Sequence, residues 1–535
     1  MNPVIIIPTY VGSKHRQPSR SVIATYDHVT PITHQGELNR CLISLRDKGV
    51  RVPIFILVVS EFGYEKEAAA KIREIADTHR GRLAITVIDD ETLGRLHVRV
   101  EALGLGDLTE CISLTGYGAI RNLGLVVAAA GAYTECIFID DDEVVQDDDF
   151  IEKAVYGLGK ITPKGVPVLV KTGFFVDNKG SWESSRKGKW YDRFWRQGEL
   201  FNMWITKAMR GARLSRSNNF YGGLNAIHRE AYRRISFDPW ITRGEDLDYM
   251  LNVRMYGGDV WFDNQWSILH LPPVLRNEAV RFRQDIYRWI YENRKLEFAK
   301  SQIDLIPIQP ETLEPYPGPF LDNLISKRIF VTALLRALGR PQARREYFRA
   351  AQAARRGAKA YAETFCAQYY EFQIGWPQIV AILESDRVIR ALLAGVSLPD
   401  TFQDALPDAP LPDAPLDEAF DEALGQDAFA SGSFASGSFA ELGSFAMPSS
   451  PAMPGSPFAE SGVFAESGVF AEPNPSVPTA RPVPRHFAPA PSQQPSQWTP
   501  SQEPSQPQPQ QPPSQWAPSQ QPSQWTSQAY DEDIW

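Results

Sequence analysis

Three adjacent carboxylates, Asp140, Asp141 and Asp142, follow directly on the apolar run Ile137-Phe138-Ile139. Like charges packed this closely raise one another's pKa, and a divalent cation bound by one or two of them relieves the repulsion. Hard oxygen donors of this kind suit Mg²⁺ or Mn²⁺. The plainer reading is a strand that ends in an acidic turn. About a hundred residues on, Arg243-Gly-Glu-Asp-Leu-Asp248 opens a helical pattern running to about Tyr256. Acidic residues are ordinary in a first helical turn, where the dipole favours them; the sharper reading makes Glu245 or Asp246 a general base. His270, near the end of the strand-like Trp266–Pro273, is more ordinary as a structural histidine than as a ligand. Between these lies an aromatic segment, Ser181 to Trp204, in which Trp182, Trp190, Trp195, Phe201 and Trp204 alternate with Arg and Lys. Such rings suit stacking on a sugar or base, or a loop closing over a ligand.

The elements that would position these groups alternate along the chain. Val4–Tyr10, Pro53–Val59, Leu83–Ile88 and the run into Asp140 read as strands, and Glu37–Lys48, Glu65–Thr78 and Ala119–Ala130 as helices. Alternation of this kind predicts an α/β fold, a mostly parallel sheet flanked by helices. The C-terminal ends of parallel strands share one edge, so Thr9, Glu61, Asp89, Asp90 and Asp140 to Asp142 should gather there.

At 535 residues the chain allows several domains, and its net charge of −9 is unevenly placed. Residues 400–535 hold 17 Asp/Glu and 2 Arg, which leaves residues 1–399 at +6. A mildly basic body suits an anionic small molecule and gives no argument for nucleic acid. Four dispersed cysteines form no CxxC pair, no charged leader precedes the first strand, and no run reaches the ~18 apolar residues of a membrane span. These features point to a cytoplasmic protein. The expected organisation is a catalytic domain over 1–275, a connecting segment over 276–320, a helical region over 321–398 and a tail over 399–535. In the helical region Leu324, Ile325, Ile329, Phe330, Leu334, Leu335 and Leu338 fall at helical spacing among Lys and Arg. That pattern fits packing on the catalytic domain or peripheral contact with a membrane face. The tail repeats Gly-Ser-Phe-Ala, Phe-Ala-Glu-Ser-Gly-Val and Pro-Ser-Gln-Trp. Such a composition cannot bury enough apolar surface to offset chain entropy, so it is expected to be disordered, its spaced Phe and Trp available to a protein partner.

Taken in order, the Ile-Pro-Thr strand end, Gly118-Ala-Ile-Arg-Asn-Leu-Gly124, Phe138-Ile-Asp-Asp-Asp142 and Arg243-Gly-Glu-Asp-Leu-Asp248 followed by a histidine resemble the GT-A glycosyltransferases, and among them glycosyltransferase family 2. The resemblance covers about residues 3–275. It implies a UDP- or GDP-sugar donor bound over the sheet edge with Mn²⁺ or Mg²⁺, and a carbohydrate, lipid-linked or small-molecule acceptor. It implies that Asp140 and Asp142 form a DxD motif with His270 as a further metal ligand, Asp141 turning into supporting hydrogen bonds beside the donor. By the same resemblance Asp246, with Glu245 beside it, would deprotonate the acceptor in an inverting reaction. Pro8, Thr9, Glu61 and Asp90 would line the nucleotide pocket, and Arg121 would lie near the diphosphate. The chain departs from the pattern at Ser60-Glu61-Phe62, where an Asp pair is usual, and in a long first loop with Lys14, His15, Arg16 and Arg20, expected as an inserted lid. The QxxRW signature of processive members is missing near Tyr287-Arg-Trp289. Other readings are a haloacid-dehalogenase-like phosphatase with Asp140 as nucleophile, and an inactive scaffold whose tail does the work. A dinucleotide-binding protein fits less well, because Gly116-Tyr-Gly118 lacks the third glycine of GxGxxG.

Overall fold

The computed structural model describes residues 1–13, 29–34, 36–185, 188–272 and 278–395. The expected lid (Lys14, His15, Arg16 and Arg20) and the tail from residue 399 lie outside the described residues. Seven strands build the sheet: β1 (Pro3–Gly12), β2 (Ile54–Ser60), β3 (Ile85–Ile88), β4 (Glu135–Ile139), β5 (Val170–Val176), β6 (Leu224–His228) and β7 (Val260–His270). Their order is β3-β2-β1-β4-β6-β5-β7, with three shorter strands at the margins. Every neighbouring pair of the seven is parallel except those made by β6, which runs against both β4 and β5. This is the α/β architecture, a mostly parallel sheet flanked by helices, that the sequence implied. Val4 to Ile7, Ile54 to Val59 and Cys136 to Ile139 are buried throughout. That is why these strands read as unbroken apolar runs: a parallel strand is covered on both faces.

The covering helices on the first half are α1 (Leu38–Asp47), α2 (Glu65–Asp77), α3 (Asp90–Ala102) and α4 (Tyr117–Ala130). All of α4 is buried, Arg121 and Asn122 included. Its Gly124 lies on the sheet so closely that a Cβ there would come within 2.7 Å of the Phe138 ring. A mid-helix glycine costs about 0.5–1 kcal/mol against alanine; here close approach to β4 requires it.

Beyond the sheet come α5 (Gln197–Met209), α6 (Glu245–Met255), α7 (Glu278–Ala299), α8 (Ile325–Gly339), α9 (Arg344–Arg355), α10 (Gly357–Ser385) and α11 (Arg387–Leu393). The segment expected as a connector is thus half helix, because α7 spans 22 residues. The C-terminal helices are bonded to the α/β layer. Trp376 Nε1 donates to the Tyr232 carbonyl (2.8 Å), and Ser236 donates from both its amide and its hydroxyl to Gln373 Oε1 (2.8 Å each). Arg99 pairs with Asp386 at 2.8 Å, and Arg390 Nε donates to the Ala130 carbonyl at 2.9 Å. Ile325, Ile329, Ala333 and Ala337 form the buried stripe of α8. No helix among the described residues is long and apolar enough to cross a membrane.

Candidate active site

A cavity of about 360 Å³ opens where β4, β5 and β7 end, and it is lined by Arg121, Asp140, Glu245, Asp246, His270 and Arg288 among others. They arrive from five elements, Glu245 and Asp246 both from the first turn of α6. The chain leaves β4 at Asp140 and folds back at once, because Glu143-Val144 pairs antiparallel with Leu269-His270 of β7. That two-residue ladder ties the acidic turn to the histidine and holds Asp142 Oδ2 at 3.4 Å from His270 Nε2. Phe175 of β5 packs against the His270 ring, with centroids 4.6 Å apart. Asp141 turns the other way and accepts a hydrogen bond from Thr9 Oγ1 of β1 (2.6 Å).

Arg121 is the fixed positive charge at the floor. Its Nη2 donates to Asp140 Oδ1 at 2.9 Å and its Nε to Glu245 Oε1 at 3.3 Å, while Cζ sits 5.0 Å from the centre of the Phe138 ring. Helix α6 begins at Gly244, which has φ of +73° and lies against the Arg288 guanidinium. Positive φ and that contact both exclude a side chain at residue 244. The turn places Glu245 inward and Asp246 at the cavity wall. Asp246 Oδ1 accepts from Leu247 N–H (2.7 Å) and Oδ2 from Gly222 N–H (3.3 Å), with Arg288 Nη2 4.0 Å from Oδ1. Gly223 packs against the carboxylates of Glu143 and Asp140, leaving no space for a Cβ.

Accessibility separates the carboxylates of this cluster. The side chains of Asp140 and Asp246 are 26% and 29% exposed, whereas Asp141, Asp142, Glu143 and Glu245 are buried. Burial has a chemical consequence for two of them. It pushes the Glu245 carboxyl up to about 7, opposed by Arg121 and reinforced by Asp246 and Asp140. It also raises Glu143 well above the usual carboxylate range, with the Asp140 and Asp142 charges adding to the effect. A neutral Glu143 is compatible with its place, where Oε2 accepts the Asp140 amide at 3.0 Å.

The structure therefore gathers Arg121, Asp140, Glu245, Asp246 and His270 around one cavity, with Asp142 directly behind His270. It does not bring Pro8, Thr9, Glu61, Asp90 or Asp141 to the cavity wall. These lie along the same sheet edge at the ends of β1 to β4 and bond to neighbours there. Pro8 pairs in register with Leu57, Glu61 Oε2 accepts from the Ser13 amide (2.6 Å), and Ser60 Oγ donates to Asp90 (2.7 Å). Burial raises the Asp90 carboxyl, and the Ser60 bond lowers it less. Of the aromatic segment, Trp182, Trp195 and Phe201 line the cavity, while Trp190 and Phe194 project to solvent. The sequence reading missed two groups. Arg288 was hidden on the supposed connector, and Glu143 sat one residue past the acidic triplet that drew attention.

No family model matches the sequence, and no curated protein matches it. Solved structures with a similar course of the chain include a mannosyltransferase from Pyrobaculum calidifontis in complex with GDP-Man and Mn²⁺ (16% identity, TM-score 0.34, covering 73% of this chain and 86% of that one). GalNAc-T7 with UDP, GalNAc and Mn²⁺ matches at 12% identity and TM-score 0.30, covering 58% of this chain and 53% of that one. A mycobacterial protein matches at 15% identity and TM-score 0.27, over 53% of this chain and 74% of that one. These are likenesses of backbone course.

Proposed function

We propose that the chain is a metal-dependent glycosyltransferase that moves a sugar from a nucleoside-diphosphate donor to an acceptor hydroxyl, with inversion. One observation supports this above the others: in a cluster of six carboxylates, Asp140 and Asp246 are the two with a quarter or more of the side chain exposed, and both line the shared cavity. Asp246 is oriented by two backbone amides and is the group that takes the acceptor proton. As the acceptor oxygen bonds to the anomeric carbon, the bond from that carbon to the diphosphate breaks, and the electron pair leaves with the phosphate. Arg121 and Arg288 put two guanidinium groups on the wall of the same cavity, suited to the charge that develops there. Glu245 is a poorer base, because it is buried and engaged by Arg121. Trp182 and Phe201 offer ring faces to a sugar or base. This reading takes residues 1–275 as the catalytic domain, joined at the cavity by Arg288 of α7, with the helical region as its support.

The donor set fits a divalent ion. Asp142 and His270 supply one oxygen and one nitrogen 3.4 Å apart, and no group of three or more His, Cys, Asp or Glu forms a closed cage among the described residues. Two protein ligands suit Mg²⁺ or Mn²⁺, whose remaining positions go to substrate phosphates and water. When bound, the ion would neutralise charge on the diphosphate. The test is a thermal-shift series with UDP- and GDP-sugars, with and without Mn²⁺. Binding to the folded state by RT ln(1 + [L]/Kd) raises the melting temperature. Asp142→Ala should keep the melting temperature of the free protein and lose the Mn²⁺-dependent shift. A full shift in that variant removes Asp142 as a ligand, and no shift with any nucleotide sugar removes the donor class.

A further inference from the structure

Helices α8 and α9 form a hairpin whose outer surface is both basic and apolar. Residues 324–359 carry ten Lys/Arg and a single acidic residue, Glu346; Arg328, Arg336, Arg340 and Lys359 pair with carboxylates outside this stretch, and Lys327, Arg344, Arg345, Arg349, Arg355 and Arg356 make up the rest. On α8, Leu324, Lys327, Arg328, Val331, Leu335 and Leu338 follow helical spacing and form one stripe, opposite the buried Ile325, Ile329, Ala333 and Ala337. Leu324 is 50% exposed and Leu338 62%. On α9, the buried Tyr347, Ala350, Ala351 and Ala354 leave Arg345, Phe348 and Arg349 outward. Phe348 is 48% exposed. Single exposed apolar residues need no explanation. A stripe of them interleaved with cations is the composition of a surface that lies on a charged bilayer.

A loop packed on α8 adds two exposed aromatic side chains. Trp190 is 61% exposed, and Phe194 projects next to it with the Arg193 guanidinium 4.8 Å from its ring centre. The loop is fixed to α8, because Arg336 Nε donates to Asp192 Oδ1 (2.7 Å) and Arg340 Nε donates to the Tyr191 hydroxyl (3.1 Å). Arg336 itself lines the cavity. Helix α8 thus carries the candidate site on one face and the basic, apolar stripe on the other, separated by roughly one helix diameter, ~10 Å.

We propose that the α8–α9 hairpin, with Trp190 and Phe194, docks on an anionic bilayer surface. Cations attract the headgroups, while Leu324, Val331, Leu338, Phe348 and the two aromatic side chains enter the headgroup boundary. Nucleic acid would use the cations but leave the Leu and Val side chains unpartnered. Docking stands independently of glycosyl transfer. If both hold, the acceptor is one presented at a membrane surface.

The experiment is co-sedimentation of the full chain with phosphatidylcholine vesicles that contain either no charged lipid or about one-third phosphatidylserine. Binding to the charged vesicles alone, weakening as salt rises, is expected. Replacing Arg344, Arg345 and Arg349 together by Glu should weaken it about a hundredfold at an unchanged melting temperature. A second variant, Trp190→Ser with Leu338→Ser, should weaken binding and make the remainder more salt-sensitive. The proposal is overturned by absence of binding to the charged vesicles or by equal binding of the triple Glu variant. It is equally overturned if a DNA or RNA duplex binds more tightly than the vesicles. The readout needs no sugar transfer, so its failure is separate from failure of the enzymatic reading.

Discussion

Helix α6 has a charged cluster on each side, and the two differ in kind. At its N-terminus, Glu245 and Asp246 meet Arg121 and Arg288 at the cavity. One turn on, Asp248 and Asn252 meet Lys295 of α7, which also pairs with Asp238 at 2.6 Å. In the second cluster Lys295, Asp238 and Asp248 are fully buried. The Tyr291 hydroxyl bonds Asp238 as well, at 2.8 Å. Every charge there has partners, and nothing opens to solvent. Shifted acidity does not distinguish the two clusters, since burial lifts Asp238 to about 6, against Lys295, much as it lifts Glu245. What distinguishes them is a carboxylate left accessible. Perturbed groups mark functional sites only when a ligand can reach them; otherwise they mark a buried ion network that fixes how two helices sit.

That contrast can be broken or sharpened, from the largest effect down. Asp246→Asn should lower glycosyl transfer by about 10²- to 10⁴-fold while nucleotide-sugar binding persists. Steady-state rates with a competent acceptor check this, and undiminished transfer would place Asp246 with the structural charges. Lys295→Met should leave Asp238 and Asp248 without their cation and lose about 3–5 kcal/mol of stability, read as a lower denaturation midpoint. A near-neutral result would mean the sealed cluster relaxes or admits water.

Glu245→Gln addresses pH. The folded state holds the Glu245 carboxyl near 7 against an ordinary 4.5, so the neutral form is favoured in the fold. Its contribution is complete below about pH 4.5 and is lost as pH rises through about 7, on the order of 3 kcal/mol. The Gln variant stays neutral, so its melting temperature should vary less than that of the parent chain between those limits; parallel curves would contradict the assignment. Thr9→Val removes the donor to Asp141 and should cost about 2 kcal/mol, with little change in donor affinity. A large loss of donor binding instead would return Thr9 to the nucleotide pocket.

The sequence showed the parts of the site that follow pattern. An apolar run ended by carboxylates can hardly be other than a strand tip, and Gly-Glu-Asp before a helical stretch announces its own first turn. Helix α7 shows why the rest was not legible. Its inward side carries Arg288, Glu292 and Lys295, four and three residues apart. Phe282, Ile286, Trp289 and Leu296 give this helix a buried apolar face at helical spacing, but apolar periodicity does not reveal the charged residues buried beside it. Here charges pair with one another across α6 and α7, and those partners are distant in sequence. Asp89 and Asp90 do follow the strand Ile85–Ile88, but what they bond there was not legible. Asp89 caps α3 by accepting from the Thr92 amide, and Asp90 begins the helix. Glu61 and Asp90 reached the expected edge but bond to neighbours on it, since strand order sets which tips converge and single-strand patterns do not reveal that order.

The short ladder between Glu143-Val144 and Leu269-His270 has a consequence for selectivity. Two backbone segments joined by sheet hydrogen bonds move together, so the Asp142 and His270 donors present a spacing set by the protein before anything binds. A preorganised pair spends little ordering entropy on its ligand and adapts poorly to one of the wrong size. On the proposed metal reading, discrimination between ions at this place would therefore be a matter of radius, governed by a ladder of two residues on each strand.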